Sequence, residues 1–504
     1  PLLAQPPIWF TPVNPDQYRG VAEAVQQSGG RLVALWGSDD REWDEALAVH
    51  AALAFQDGLL CMRLLVKESR PVFPDLSDIF PVANRMQRAV FDLLGLRADK
   101  ADDERPWLRH AAWPADSFPL RRDFKTEEDV GDAPDNYPFV KVEGDGVHEI
   151  PVGPVHAGII EPGHFRFSVV GERVLRLEER LGYVHKGIEK RFEAMTLEEG
   201  VRLAGRVSGD STVAYSWAYS MAVEVATGTK APSRADWLRA LLLERERIMN
   251  HLGDLGYLGN DAALAFGLAQ FSRLKEDMLR LNHTHFGHRY LMDCIVPGGV
   301  VRDIDAPCAA AIRLEIEALQ RELPVLKVIY DEHAGLQDRF LTTGRVPPPL
   351  AAKLGLTGLP GRASGQAWDL RVQFPSVPYD QLNVYMATHR NGDVAARVSV
   401  RFDEIAESLR LIGQILDDIP GGEIRAPVNP AGEGRYGIGW VEGWRGEVLV
   451  ALETAEGNGI SRCHPHDPSW QNWPLLEYAV IGNIVPDFPL INKSFNLSYS
   501  GQDL

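Results

Sequence analysis

The chain has 504 residues, 45% of them hydrophobic. That is enough for at least two packed cores, since single cores stop growing at roughly 250–300 residues. Its 70 acidic residues against 52 basic ones leave a formal charge of -18, which argues against nucleic acid and against direct docking on anionic lipid heads, because both are bound through Lys and Arg.

The first residues, Pro1-Leu2-Leu3-Ala4-Gln5-Pro6-Pro7, lack a basic stretch followed by an apolar core and are not read as a secretory signal. No stretch approaches the roughly 20 apolar residues of a membrane span. Four scattered cysteines, Cys61, Cys294, Cys308 and Cys463, fit free thiols in a reducing compartment, not a disulfide framework. These features predict a cytoplasmic chain that meets a membrane only through partners.

Arg31–Trp36 is a buried-strand candidate ended by Gly37. Glu45–Ala54 has helical spacing, and Leu59–Val66 alternates loosely like a strand. Phe80-Pro81 opens a helix over Val82–Leu94 that stops at Gly95, a residue that tolerates positive φ. Residues 1–124 thus read as a small α/β domain. Residues 125–148 are acidic and turn-rich, with little to bury, and read as a linker.

From Glu149 the chain begins with strand-like pieces, Phe165–Val170 and Val174–Leu177, and then turns helical. Leu203–Ala226 is rich in small and aromatic residues with little charge, which suits a helix buried on most faces. Leu238–Leu252 is amphipathic, and Gln270–Arg289, Ala309–Leu323 and Phe402–Leu416 are further helices. Ile438–Pro465 reads as strands with turns at Gly446 and Gly457. The expected fold class is α+β: the small α/β domain, followed over 149–504 by a large, mainly helical domain with a β-rich cap.

Several segments of this second part resemble, in chain order, one superfamily. They are Glu149–His156 with Glu161-Pro162, Leu181–Glu189, Glu244–Gly253 and Pro297–Val300 with Arg302–Ile304. Arg362–Gly365 with Asp369–Arg371, Gly392–Val394 and Glu442–Glu447 complete the set. The superfamily joins the large subunits of membrane-bound nickel–iron hydrogenases with the quinone-site subunit of respiratory complex I. The first part, through Phe80-Pro81, Phe91–Gly95 and Phe118–Phe124, resembles the smaller complex I subunit that docks beside it. Its helix carries Met86, Gln87 and Arg88 where that subunit usually has an acidic pair. Fusion of the two in one chain resembles formate-hydrogenlyase-type membrane hydrogenases.

The family's nickel–iron site takes four thiolates from two C-x-x-C motifs, because soft sulfur holds nickel and hard hydroxyls do not replace it. At those positions this chain has Ser208 and Ser211, in Arg206-Val207-Ser208-Gly209-Asp210-Ser211, and Ser498 and Gly501 near the end. The resemblance therefore implies a former metal seat and no metal. The quinone-holding pair of complex I is also incomplete. His156 stands at its first histidine, Ile160 at the second, and Gly209 at the tyrosine. By resemblance, Arg445 matches the arginine above the iron's diatomic ligands and Glu161 a proton-relaying glutamate, with His156 completing a candidate proton or ligand pocket. His185 and Glu189 belong to the element facing a partner's iron–sulfur cluster.

Two other clusters attract attention. In His283-x-His285-x-x-His288 only the last two share a helical face. Cys463-His464-Pro465-His466-Asp467 is dense in ligand types, but adjacent side chains splay apart and it reads as a loop. No G-x-G-x-x-G follows a strand, so no dinucleotide site is expected.

The resemblance implies a peripheral-arm subunit of a complex I-like or hydrogenase-related oxidoreductase, on the cytoplasmic side of the inner membrane. It has no hydrogenase activity of its own and no cofactor in this chain; an iron–sulfur cluster sits in the adjacent subunit, and quinone is the one ligand left open. The implied partners are an iron–sulfur subunit, a ferredoxin-like subunit and membrane-embedded, antiporter-like subunits. The competing expectation is an inert scaffold for those partners.

Overall fold

The computed structural model describes residues 7–125, 133–134, 136–156 and 160–504. The absence of a signal was read largely on Pro1–Pro6, which lie outside the described residues, as do 126–132 and 135 of the acidic segment.

The first sheet contains β1 (Ile8–Val13), β2 (Arg31–Asp40), β3 (Ala46–Phe55) and β4 (Gly58–Val66), in the order β1-β4-β3-β2. β1 runs parallel to β4, and the other neighbours are antiparallel. The helix expected at Glu45–Ala54 is strand β3. It is the one expected element of this region that changes type, and the reason is burial. β3 is central, and both its faces are covered. A strand buried on both faces reads as an unbroken apolar run, in which period two is invisible.

Helices α1 (Pro15–Gln27) and α2 (Ala83–Leu94) cover one face of this sheet, through Tyr18, Ala22, Met86 and Val90 among others. α2 ends at Gly95 with φ 75°, as its sequence position requires.

The other face packs on a second three-stranded sheet, which comes later in the chain than the antiparallel sheet of β5 (Val147–Val152), β6 (His164–Val170) and β7 (Arg173–Arg180). β8 (Tyr436–Glu442), β9 (Glu447–Ala455) and β10 (Gly459–His466) are antiparallel. Ile8, Val33, Trp36, Ala52 and Leu59 of the first sheet share one apolar cluster with Ile438, Trp440, Leu449 and Ala451 of the second. The segment expected to be a loop, Cys463–Asp467, is therefore mostly strand β10, buried between layers. Its polar side chains hid the pattern, because they are paired inside rather than solvated.

Behind β8 lies helix α5 (Thr212–Thr227), after α3 (Ile188–Phe192) and α4 (Leu197–Ala204). It comes close because Gly437 and Gly439 carry no Cβ; one added there would overlap the carbonyl oxygens of Ala222 and Ala218. The single helix expected at Leu203–Ala226 is thus two, separated by residues 205–211, which contain Gly205, Ser208, Gly209 and Asp210. That break positions the candidate site.

The helical body follows: α6 (Ser233–Asp261), α7 (Ala265–Phe286), α8 (Ala306–Glu332) and α9 (Val394–Asp418). α6 is not amphipathic in the surface sense. Its charged residues Arg239, Glu244, Arg245, Glu246 and Arg247 are as buried as its leucines. Helices α10 (Ser469–Ala479), α11 (Phe488–Phe495) and α12 (Tyr499–Asp503) then carry the chain back to the 205–211 break.

Candidate functional site

Ser208 sits in the break before α5, and Ser498 is the N-cap of α12. Their hydroxyls lie 2.9 Å apart. The Ser498 oxygen also accepts the Gly501 N–H at 2.8 Å, while Ser498 N donates to Ser469 Oγ at 2.8 Å. The two separated motifs therefore meet, and hydrogen bonds join all four of their positions, since Ser211 N donates to the Ser208 carbonyl at 3.0 Å.

The centre of the site is a residue that sequence reasoning passed over. Asp210 lies between Ser208 and Ser211, and Arg445 grips its carboxylate with both terminal nitrogens, at 2.6 Å each. Ser208 Oγ donates to the same carboxylate at 2.9 Å, and Arg445 Nη1 reaches Ser211 Oγ at 3.1 Å. Arg445 Nε donates to the Asn496 carbonyl at 2.6 Å, and its guanidinium lies 4.0 Å from the centre of the Trp444 ring. Burial alone would raise the Asp210 carboxyl, but Arg445 outweighs it and holds Asp210 below its ordinary value. The signal was there to read: an aspartate between the two serines, opposite a matched arginine.

Gly501 has no side chain to offer. A Cβ built there would run into the carboxylate of Asp467, which accepts from Tyr215 OH at 2.7 Å and from Ser469 N at 2.8 Å. Next to the seat, Glu246 accepts the Val213 and Ala214 N–H groups at 2.7 and 3.2 Å, closing the start of α5. Burial pushes Glu246 up to about 8.

The other expected site residues are spread around this centre. Glu161 is exposed and accepts from both the hydroxyl and the backbone N–H of Ser500 on α12. His156 Nε2 pairs with the Gly163 carbonyl at 2.6 Å; burial lowers its pKa. Among the described residues no hydrogen bond joins His156 or Glu161 to Arg445. His185 is half-buried, and its Nδ1 meets the Asp503 carbonyl at 2.7 Å. Asp503 is wholly buried, and burial pushes its carboxyl up to about 7. Glu189, placed by the resemblance in the element facing a partner's iron–sulfur cluster, is 4% exposed and turned onto Arg462 and His464. Of the histidine cluster, His283 is exposed and His285 half-buried, and His288 Nδ1 accepts the Tyr290 and Met292 N–H groups.

Beyond Trp444, the segments that carried the resemblance converge on one sealed ionic network. Glu244 accepts from Arg371, Arg247, Tyr379 and Ser408. Arg362 joins Glu404 and Glu442 at 2.8 Å each, and His251 reaches Glu404 at 2.8 Å. Four of the quoted blocks, 244–253, 362–365, 369–371 and 442–447, contribute to it.

Residues 11–130 match the respiratory-chain NADH dehydrogenase 30 Kd subunit, and residues 261–432 match its 49 Kd subunit. The chain is 32% identical over 485 residues to formate hydrogenlyase subunit 5 of Escherichia coli (strain K12), covering 95% of this chain and 85% of that protein. The chain belongs to the fused complex I 30/49 Kd and hydrogenase large-subunit family. Within this family it is also 31% identical to hydrogenase-4 component G of Escherichia coli (strain K12), over 95% of this chain and 84% of that one. The C/D subunit of NADH-quinone oxidoreductase from Bacteroides thetaiotaomicron is 29% identical, over 78% of each chain. A chain of the membrane-bound sulfane sulfur reductase, an archaeal respiratory membrane complex, superposes with a TM-score of 0.67 at 26% identity. That match covers 71% of this chain and 99% of the other. Among the described residues no helix is long and apolar enough to cross a membrane.

Proposed function

We propose that this chain is a peripheral-arm subunit of a membrane-associated, complex I-like or hydrogenase-related oxidoreductase that holds no nickel–iron centre. The observation that carries the reading is the Asp210–Arg445 pair among Ser208, Ser211, Ser498 and Gly501. The seat presents hydroxyl oxygens and one position without a side chain. Its arginine is engaged by a carboxylate instead of standing free above a metal's ligands. Four thiolates hold nickel and iron because sulfur is soft and bridges; this donor set does not fit that group.

In this reading an iron–sulfur subunit packs beside the His185–Glu189 turn. A ferredoxin-like subunit feeds it, and membrane-embedded, antiporter-like subunits lie below, which puts the chain on the cytoplasmic face of the inner membrane through its partners. Charge arriving at the neighbouring cluster shifts protonation at Glu161, His156 or His185, and quinone or another small oxidant takes the electrons. The proposed division is into residues 1–124, 125–148 and 149–504; the two family matches, 11–130 and 261–432, fall in its first and last parts save for 125–130. The described part of the middle segment is tied down, with Tyr137 OH accepting from Arg88 at 2.7 Å and Val140 N donating to Glu178 at 2.8 Å.

The test is to purify the assembled complex and measure metal content, hydrogen uptake and quinone-linked turnover. The expected result is iron and acid-labile sulfide without nickel, and no hydrogen oxidation; stoichiometric nickel overturns the reading. Glu161→Gln is expected to slow turnover at least about tenfold, the scale of a positioned proton-transfer group.

One observation favours a second reading, the inert scaffold. Asp210, Arg445, Ser208 and Ser498 satisfy one another, as buried polar groups must whether or not they work. Unchanged turnover in both Glu161→Gln and Arg445→Ala would establish it.

A further inference from the structure

Where the first sheet meets the second, a ladder of rings crosses the interface. Trp36 of β2 is sandwiched between His50 of β3 and His464 of β10, with ring centres 5.1 and 5.2 Å away and planes within 6° and 10° of parallel. The His466 ring lies tilted beside His464, with centres 6.0 Å apart, and stacks in turn on Trp470.

The three histidines have different partners. His50 Nε2 pairs with Ser38 Oγ at 2.9 Å, and Arg63 and Arg462 oppose a positive charge on it. His466 Nε2 pairs with Gln471. His464 alone has a carboxylate: its Nδ1 lies 2.7 Å from Glu189 Oε1, which also accepts from Arg462 at 2.5 Å. Glu189 comes from α3 and Arg462 from β10 itself. Cys463 and the apolar wall of α2, Met86 to Leu94, complete the surroundings. With His464 neutral this group carries no net charge.

The second nitrogen of His464 is the unusual feature. Nε2 is buried and has no hydrogen-bond partner among the described residues, and neither has Trp470 Nε1. Both residues line a small cavity of about 20 Å³, together with Trp36, Glu189 and Arg462. A water needs only about 10–15 Å³ and two or more polar contacts.

We propose that this cavity holds one water and that His464, stacked on Trp36 and anchored by Glu189, is a proton-binding site served by that water. A water suits both protonation states. It donates to Nε2 when the imidazole is neutral, and accepts from Nε2–H when it is charged. The proton comes from solvent and ends on Nε2, while Nδ1–H stays on Glu189. No other bond changes. Burial lowers His464, and Glu189 opposes that drop, an opposition His50 lacks. The added charge is felt at Glu189, and so at the turn beginning with His185. The inference does not depend on the proposed function.

The readout is built in, because an imidazolium stacked on an indole quenches its fluorescence. Tryptophan emission of the purified protein is followed from pH 8 to pH 4, with circular dichroism to monitor the fold. The wild type is expected to lose emission in one reversible proton step while the fold is intact. His464→Asn keeps an N–H donor for Glu189 and removes Nε2; it is expected to abolish the step, and Trp36→Phe to abolish the signal. Glu189→Gln is expected to move the midpoint down by at least about one pH unit, a tenfold loss of proton affinity. A step that persists in His464→Asn belongs to His50 and overturns the proposal. So does a step that persists in Trp36→Phe, or a wild-type titration that stays flat until the circular dichroism collapses.

Discussion

On one side of Trp444 lies the Asp210–Arg445 pair, and on the other the network of Glu244, Arg247, Arg362, Asp369, Arg371, Glu404 and Glu442. Trp444 belongs to both. Its indole N–H donates to the Asp210 carbonyl at 2.9 Å, and the His251 ring stands edge-on to it at 5.9 Å. The network is closed to water, and each of its carboxylates is met by a guanidinium. The seat is not closed. The Asp210 side chain is 37% exposed, and a Cβ at Gly209 would meet open space. A sealed ionic network is a fold requirement, because a buried charge without its partner is costly. An ion pair at an open edge is free of that constraint, so its residues are the ones a function can use.

The largest expected effect lies in the network. Glu244→Ala leaves Arg371 and Arg247 buried without their shared carboxylate, and should cost about 3–5 kcal/mol of stability. Denaturant melts of the purified protein measure it; a loss below about 1 kcal/mol would mean that the network is not sealed in solution.

Next comes a pH effect at Glu189. Burial would raise its carboxyl, but Arg462 and His464 outweigh burial and hold it at about 2, against an ordinary 4.5. A depressed acid stabilises the fold above its unfolded value, and that stability is lost as pH falls through the folded one. The window is therefore pH 4.5 down to 2, worth on the order of 3 kcal/mol. Glu189→Gln should flatten the acid limb of the stability curve across that window, and an unchanged limb would place the charge elsewhere.

Arg445→Ala should cost less, about 1–3 kcal/mol, because water can reach the Asp210 carboxylate it abandons. Thermal melts of Arg445→Ala and Asp210→Asn compare the two sides of the pair. A loss as large as that of Glu244→Ala would erase the contrast between open and sealed regions. Gly501→Ala should be the smallest, about 1–2 kcal/mol, since Asp467 must move aside for the new methyl. An unaffected melt would show that Asp467 does not fill the fourth position.

Much of this was legible in the chain. The α2 helix with its Gly95 stop, the strands expected at 59–66, 165–170 and 174–177, and the helices expected at 270–289, 309–323 and 402–416 were read from local pattern and turn residues, and the structure has strands and helices there with somewhat different ends. The meeting of Ser208 with Ser498 was implied by family resemblance, not by periodicity. What local pattern missed is burial. β3 and β10 are buried on nearly all sides, so the alternation of polar and apolar residues that marks a surface element is missing from them, and the charged positions of α6, read correctly as a helix, are buried too. The pairings of Asp210 and Glu189 were not legible for a related reason: their partners stand 235 and 273 positions away.

By itself the sequence determined the family and the fusion of two modules, because these are statements about residue identity in order; that serines and a glycine stand at the four sulfur positions is what the resemblance implies. Tertiary structure decided what stands there instead. Only folding brings Arg445 onto Asp210, turns Glu189 inward onto His464 and lays Trp36 between two imidazoles. Charge pairing and ring stacking act over a few ångströms, between residues that the chain keeps far apart.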